Sequence, residues 1–345
     1  MPITSSSISN SEREWRRFTR TWLRAALVAF AALAGSLLLL DPYGTGRLTP
    51  LRSATVREQG PRTANAHRAA DPRFGGYVLG NSHIQLVEPA ALAAATGTPF
   101  VSLIVPATGP REQFAILDYL LARRSRPPDA LVWSIDDRWC TPENHPPLTH
   151  PFPFWLYDPN DAAYAAGLVR SSAIEELPPR LLALLGLSRR PAARPDGFWD
   201  YEAYREWRPE VVGPRLARRE PPFLVNRTGR YPQIERLGRT LAALPASVQI
   251  VLVRPPVHAS ALPEPGTDDA RSEAGCRAAL EVAAAGRTRT AVLDRRVDAP
   301  DTRDPANFFD PTHYRRPVAR ALERDIAAAL ARMPPLPAGA PAGAP

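Results

Sequence analysis

The sequence predicts an α/β fold, with three layers (α/β/α) around a central parallel sheet, tethered by one N-terminal transmembrane helix. Three observations predict it. Short apolar runs alternate with stretches of helical periodicity along the middle and C-terminal parts of the chain. Those runs are nearly continuous in apolar residues, as strands covered on both faces must be. One longer uncharged run, Ala25 to Leu40, stands by itself near the N-terminus.

That first run, extended back by Trp22 and Leu23, approaches the roughly 20 residues that span a bilayer. Arg13, Arg16, Arg17, Arg20 and Arg24 lie in or just before it, so residues 1–24 read as a cytoplasmic basic segment and 25–40 as the span. Everything after Asp41 is then extracytoplasmic, which in a bacterium means an inner-membrane protein with a periplasmic domain. The rival reading is a cleaved signal peptide. No small-residue cleavage site follows the run, which favours an uncleaved anchor.

Residues 41–72 are rich in Pro, Gly, Arg and Thr and read as a linker. The α/β domain is expected over 73–333. Gly76–Leu79 predicts a strand, Pro89–Ala95 a helix, Phe100–Val105 a strand, Pro110–Arg124 a helix and Leu131–Ile135 a strand. Residues 141–231 interrupt the rhythm. They hold many prolines and 12 of the 27 aromatics, and read as an insertion with helices near 161–168 and 174–185 and its own small core. The alternation resumes with a helix at 233–244, strand 248–253, helix 268–285, strand 291–293 and a closing helix over 315–333. Residues 334–345 are almost only Pro, Ala, Gly and Leu and read as a disordered tail.

Composition narrows the chemistry. All 43 Lys+Arg residues are arginine, so no Schiff-base lysine, PLP lysine or Walker-A loop exists in the chain. The net charge of +8 is spread rather than clustered, and no recognition motif accompanies it, so nucleic acid is not an expected partner. The two cysteines, Cys140 and Cys276, permit one disulfide and do not require it. The histidines show no metal-ligand spacing, and neither metal nor cofactor is expected.

In open parallel sheets, ligands bind beyond the carboxyl ends of the strands. Two motifs fall there. Gly80-Asn81-Ser82-His83 follows the first strand, and Asp310-Pro311-Thr312-His313-Tyr314 precedes the last helix. A serine at a strand-to-helix turn can expose its hydroxyl as a nucleophile beside backbone N–H groups. An aspartate three residues before a histidine can orient the imidazole as base. Each residue also has a plain structural reading: Ser82 as a helix cap, Asp310 as a turn residue, His313 as a surface histidine.

At these residues the sequence resembles the SGNH (GDSL-like) hydrolase superfamily, whose first block carries the nucleophile and whose last block is Asp-x-x-His. The likeness covers about 77–135 and 248–333. Asp41-Pro42-Tyr43 after the apolar run, Val251–Pro256 and Asn307–Tyr314 look like its membrane-anchored members related to the alginate O-acetyltransferase accessory proteins. The resemblance implies an SGNH-hydrolase, flavodoxin-like sheet and a catalytic set of Ser82, His313 and Asp310. It implies Gly109 as an oxyanion donor, and an acylated glycan or acyl donor as partner, with a membrane acyltransferase or export partner beside it. The expected activity is that of an esterase or acetyltransferase on a cell-surface polysaccharide. One departure stands out: where the superfamily has an oxyanion asparagine, this chain has Asp136-Asp137-Arg138. An aspartate repels an oxyanion, so Arg138 or Arg254 is a substitute donor, or the domain is a non-catalytic binding module. Asn81, His83, Asp136, Arg254 and His258 complete the candidate substrate-binding set. His83 either lines the site or faces solvent, and His258 is either a substrate contact or a loop histidine.

Overall fold

The computed structural model describes residues 6–49, 60–188, 193–218 and 226–334. The chain divides into two compact units, one of residues 1–54 and 160–189, the other of 55–159 and 190–345.

The first unit is helical. Helix α1 spans Ser6–Leu40, and its Ser11–Leu40 stretch, of mean hydropathy 2.1 in its most apolar window, is long and apolar enough to cross a membrane. Leu27, Val28 and Phe30 are exposed, whereas Leu37, near the end of the helix, is buried. The chain beyond it is not a free linker. Asp41 accepts from Gly46 N–H and from the Tyr164 hydroxyl at 3.1 Å, and Arg47 pairs with Asp161 at 2.8 Å. Tyr164 and Asp161 belong to α5 (Asp161–Leu168). The helix predicted over 174–185 is two: α6 (Ser171–Glu175) and α7 (Leu177–Leu184). Pro178 and Pro179 supply the reason, since proline is tolerated in a helix's first turn and not in its interior.

The second unit holds the sheet. Ordered along the chain, its elements begin with α2 (Pro61–Ala69), a helix inside the stretch expected as linker. It continues with β1 (Gly76–Leu79), α3 (Pro89–Thr96), β2 (Phe100–Ser102), α4 (Pro110–Arg123) and β3 (Ala130–Ser134). Then follow α8 (Pro209–Leu216), α9 (Pro232–Ala243), β4 (Gln249–Arg254), α10 (Asp268–Ala285) and β5 (Thr290–Asp294). The last are α11 (Pro300–Arg303), β6 (Phe308–Asp310), β7 (His313–Tyr314) and α12 (Arg316–Ala331).

Strands β1–β5 form one parallel sheet in the order β2-β1-β3-β4-β5, with Gly76 level with Phe100 and Ala130, and Ala130 level with Gln249. Helices cover both faces. Val78, Val132, Val251 and Val253 form one core with Leu92 of α3 and Leu322 and Ile326 of α12. Alternation sends Trp133 to the other face, where its ring meets Phe114 of α4 at 5.4 Å. The strand order reverses between β1 and β3, which makes the crevice past their carboxyl ends the topological switch point. The Cys140–Cys276 disulfide, left open by the sequence, is formed, tying the segment after β3 to α10 with Cα atoms 5.5 Å apart.

Two expectations need revision. The last block is a two-stranded antiparallel ladder, β6 with β7, rather than a plain turn. The aromatics of 141–231 do not make one core of their own: Tyr201 packs into the main core and Trp207 bonds the Phe308 carbonyl at 3.0 Å. The tail from residue 335 on lies outside the described residues.

Candidate active site

The site is built at the end of β1. Gly80 turns the chain at φ 155°, and a Cβ there would stand 2.7 Å from Ser134 Cβ and 2.8 Å from Ile84 Cγ2. A side chain would therefore push the turn away from β3. The following residues make a short 3₁₀ turn, Ser82–Ile84, capped by Asn81, whose Oδ1 accepts the His83 N–H at 3.1 Å. Asn81 takes the capping role, and the Ser82 hydroxyl is left for other work.

The β6–β7 ladder sets Asp310 opposite His313. His313 Nδ1 lies 2.8 Å from Asp310 Oδ1 and its Nε2 2.9 Å from Ser82 Oγ. An Nδ1–H donated to the carboxylate leaves Nε2 as acceptor for the serine hydroxyl, the tautomer a general base needs. Three residues separated by 231 positions in sequence thus stand in one hydrogen-bonded row. Asp310 also accepts the N–H groups of Thr312 at 3.0 Å and His313 at 2.9 Å. Burial pushes its pKa up, but the bonds and charge of His313, the Thr312 N–H and nearby Arg205 outweigh that and hold it well below the usual carboxylate range.

Asp136, at the end of β3, does not face the serine as a bare charge. It is buried, it accepts from the Asn81 amide, and its Oδ2 lies 3.3 Å from His83 Nδ1. Burial works against its ionisation, yet His83 and Asn81, with Arg138 behind them, hold its pKa low. Asp137 points elsewhere, to Arg296 at 3.0 Å, where the chain leaves the strand for a short 3₁₀ turn, Asp137–Cys140, capped by Asp136. His83 lines the site, its ring centroid 5.2 Å from that of His313.

Other candidates fall outside. The Gly109 N–H, expected to face an oxyanion, donates to Glu112 Oε2 at 3.0 Å within its own helix cap. Its loop still touches the site, because the Asn81 amide also donates to the Thr108 carbonyl at 3.0 Å. Arg254 is fully buried between Glu273 and Asp294, a structural network that also takes in Arg296. Arg138 reaches away to Thr149 at 2.6 Å. His258 is buried with Nδ1 on Ser260 Oγ at 2.8 Å, while its backbone N–H donates to the Pro311 carbonyl at 2.8 Å. It is a brace for the Asp310 loop, and burial lowers its pKa.

Sequence reasoning missed Tyr201 and Arg205. The Tyr201 ring stands edge-on to His313 at 6.0 Å and its hydroxyl donates to the Tyr314 carbonyl at 2.6 Å. Arg205 lies 3.6 Å from Asp310. Both come from the insertion, and only its density of aromatics hinted at them. Cavities of about 300 and 450 Å³ adjoin Gln85 and Leu86, just past the serine. A larger one of about 960 Å³, between α9 and α10, is lined by no residue of the Ser82–His313–Asp310 row. Among the described residues, no cluster of three or more His, Cys, Asp or Glu side chains could hold a metal ion. No known protein-family model matches the chain, and no curated protein matches it.

Proposed function

We propose that the protein is a membrane-anchored, extracytoplasmic serine esterase or O-acyltransferase acting on O-acyl groups of a surface glycan. The observation that carries this is the row Ser82 Oγ, His313 Nε2, His313 Nδ1 and Asp310, with separations of 2.9 and 2.8 Å. Ser82 Oγ attacks the ester carbonyl while its proton passes to His313 Nε2. The tetrahedral intermediate collapses, the leaving alcohol takes that proton, and an acyl-serine remains. Water gives hydrolysis, and a second hydroxyl gives transfer. Asp310 stays ionised throughout, which steadies the imidazolium.

The Ser82 N–H, in the first turn of its helix, has no helical partner and faces the developing oxyanion. His83, held through Nδ1 by Asp136, is the candidate second donor. The glycan and the acyl donor come from the superfamily resemblance. An uncleaved anchor is supported by the buried Leu37 and Asp41, since the end of α1 is packed into the folded unit. The arginines ahead of the span favour a cytoplasmic N-terminus, and the disulfide suits an oxidising compartment.

The test is labelling of the full chain by a fluorophosphonate serine probe. Wild type is expected to label, and Ser82→Ala and His313→Ala are not. Folded wild type that stays unlabelled sinks the enzyme. A second reading, a non-catalytic polysaccharide-binding module, is favoured by Asp136 standing where an amide donor is expected, and it predicts that outcome.

A further inference from the structure

The helical unit carries an apolar surface that its own packing does not use. Leu181, Leu182, Leu184, Leu185 and Leu187, all within one short stretch of α7 and the residues after it, are 37–62% exposed. Ile174 of α6 and Val169 add to the exposed apolar area. Single exposed leucines need no explanation, but a contiguous group of this kind marks a contact surface.

Its position indicates the partner. Arg180, the residue before this stretch, is buried and donates through Nε to the Leu40 carbonyl at 2.9 Å. Leu40 is the last residue of α1, the level at which the membrane-crossing stretch ends. Side chains within a turn or two of Arg180 lie about 5–10 Å from that level. Leu38 and Leu39 at the end of α1 are exposed as well, so exposed apolar side chains lie on both helices next to the Arg180–Leu40 contact. An apolar surface next to the end of a membrane span, at the depth of the headgroup boundary, meets acyl chains rather than water.

We infer that α6 and α7 form an interfacial membrane foot, with the leucines of 181–187 inserted into the outer face of the bilayer beside the anchor. The partner is the lipid surface itself. This rests on reading α1 as a membrane anchor. The foot fixes the helical unit against the membrane at two places, so the unit does not swivel about a single helix.

The native cysteines are joined to each other, so one introduced thiol takes a nitroxide label alone. The full chain is placed in vesicles of phosphatidylethanolamine and phosphatidylglycerol as Leu185→Cys, Leu187→Cys and, on the anchor, Leu27→Cys. Power saturation compares collision with oxygen, which partitions into lipid, against a water-soluble nickel chelate. The inference expects oxygen to dominate several-fold at all three positions. Nickel dominating at 185 and 187, with oxygen dominating at 27, overturns the foot and leaves the anchor. Shielding from both reagents at 185 and 187 means protein covers the patch, which also overturns it. Nickel dominating at 27 removes the anchor and the inference with it.

Discussion

In the proposed mechanism each residue of the Ser82–His313–Asp310 row has a separable task. Asp310 orients His313 and stays charged, so Asp310→Asn is expected to keep the fold and lower the rate of probe labelling by about 10³–10⁴-fold through the wrong tautomer. His83 is expected to matter less. Removing one oxyanion donor costs about 10²–10³-fold, and His83→Ala should lower kcat on a small ester within that range while KM stays nearly constant. An unchanged kcat would show that His83 only packs. The serine, histidine and aspartate were legible because each sits in a short motif at a strand end. The roles of Asn81 and Asp136 were not, because they depend on which of two buried partners an amide and a carboxylate choose. Nothing in the spacing of positions 81, 83 and 136 announces that Asp136 is already satisfied. Nor could the sequence reveal that Glu112, three residues on, takes the Gly109 N–H.

At the scale of elements, most strands and the long helices of the sheet-bearing unit were readable to within a residue or two, since burial on both faces leaves an uninterrupted apolar run, whereas α1 begins at Ser6, well before the expected start at Ala25, because its charged first turns carry no apolar signal. The β2 strand was overestimated: the regular strand ends at Ser102, although Leu103–Val105 stay buried and the Leu103 and Val105 N–H groups still donate to the Val78 and Gly80 carbonyls. The β6–β7 ladder escaped notice because strands of three and two residues carry no periodicity. Helix α2 escaped because its sequence, PRTANAHRA, is polar and small, yet Ala64, Asn65 and Ala66 are buried. The turn after β1 yields a direct test. Gly80→Ala is expected to destabilise by about 1–3 kcal/mol through overpacking against Ser134 and Ile84, read as a shift of the urea midpoint, and to displace Ser82 enough to slow labelling.

For the whole molecule, stability should fall in acid. The carboxyls of Asp136, Asp310 and Glu273 all sit below their ordinary values despite burial, because imidazole, amide or arginine partners favour the charged form. A depressed folded pKa contributes stability that is present at neutral pH, above the unfolded values of about 4. It is lost as pH drops through those values towards the folded ones. Thermal melts from pH 7 down to pH 3 should show a steepening loss, and a flat profile would deny the coupling. Arg254, fully buried between Glu273 and Asp294, anchors the same network. Arg254→Ala removes the fully buried guanidinium, leaving Glu273 with Arg296 and Asp294 with Arg277, and is expected to cost about 1.5–3 kcal/mol in urea unfolding through the lost charge-assisted hydrogen bonds. The arginine-rich composition, which at first suggests a polyanionic partner, is in part spent inside the protein.

The disulfide bears on how the chain is made. Cys140 and Cys276 are the only two cysteines, 136 residues apart. During synthesis the first thiol must wait, reduced, until the second has emerged. A chain with a single pair has only one intramolecular oxidation product, so no shuffling among alternatives can occur. Its maturation calls for an oxidant and makes no demand on an isomerase, and the one error open to it is pairing with another molecule.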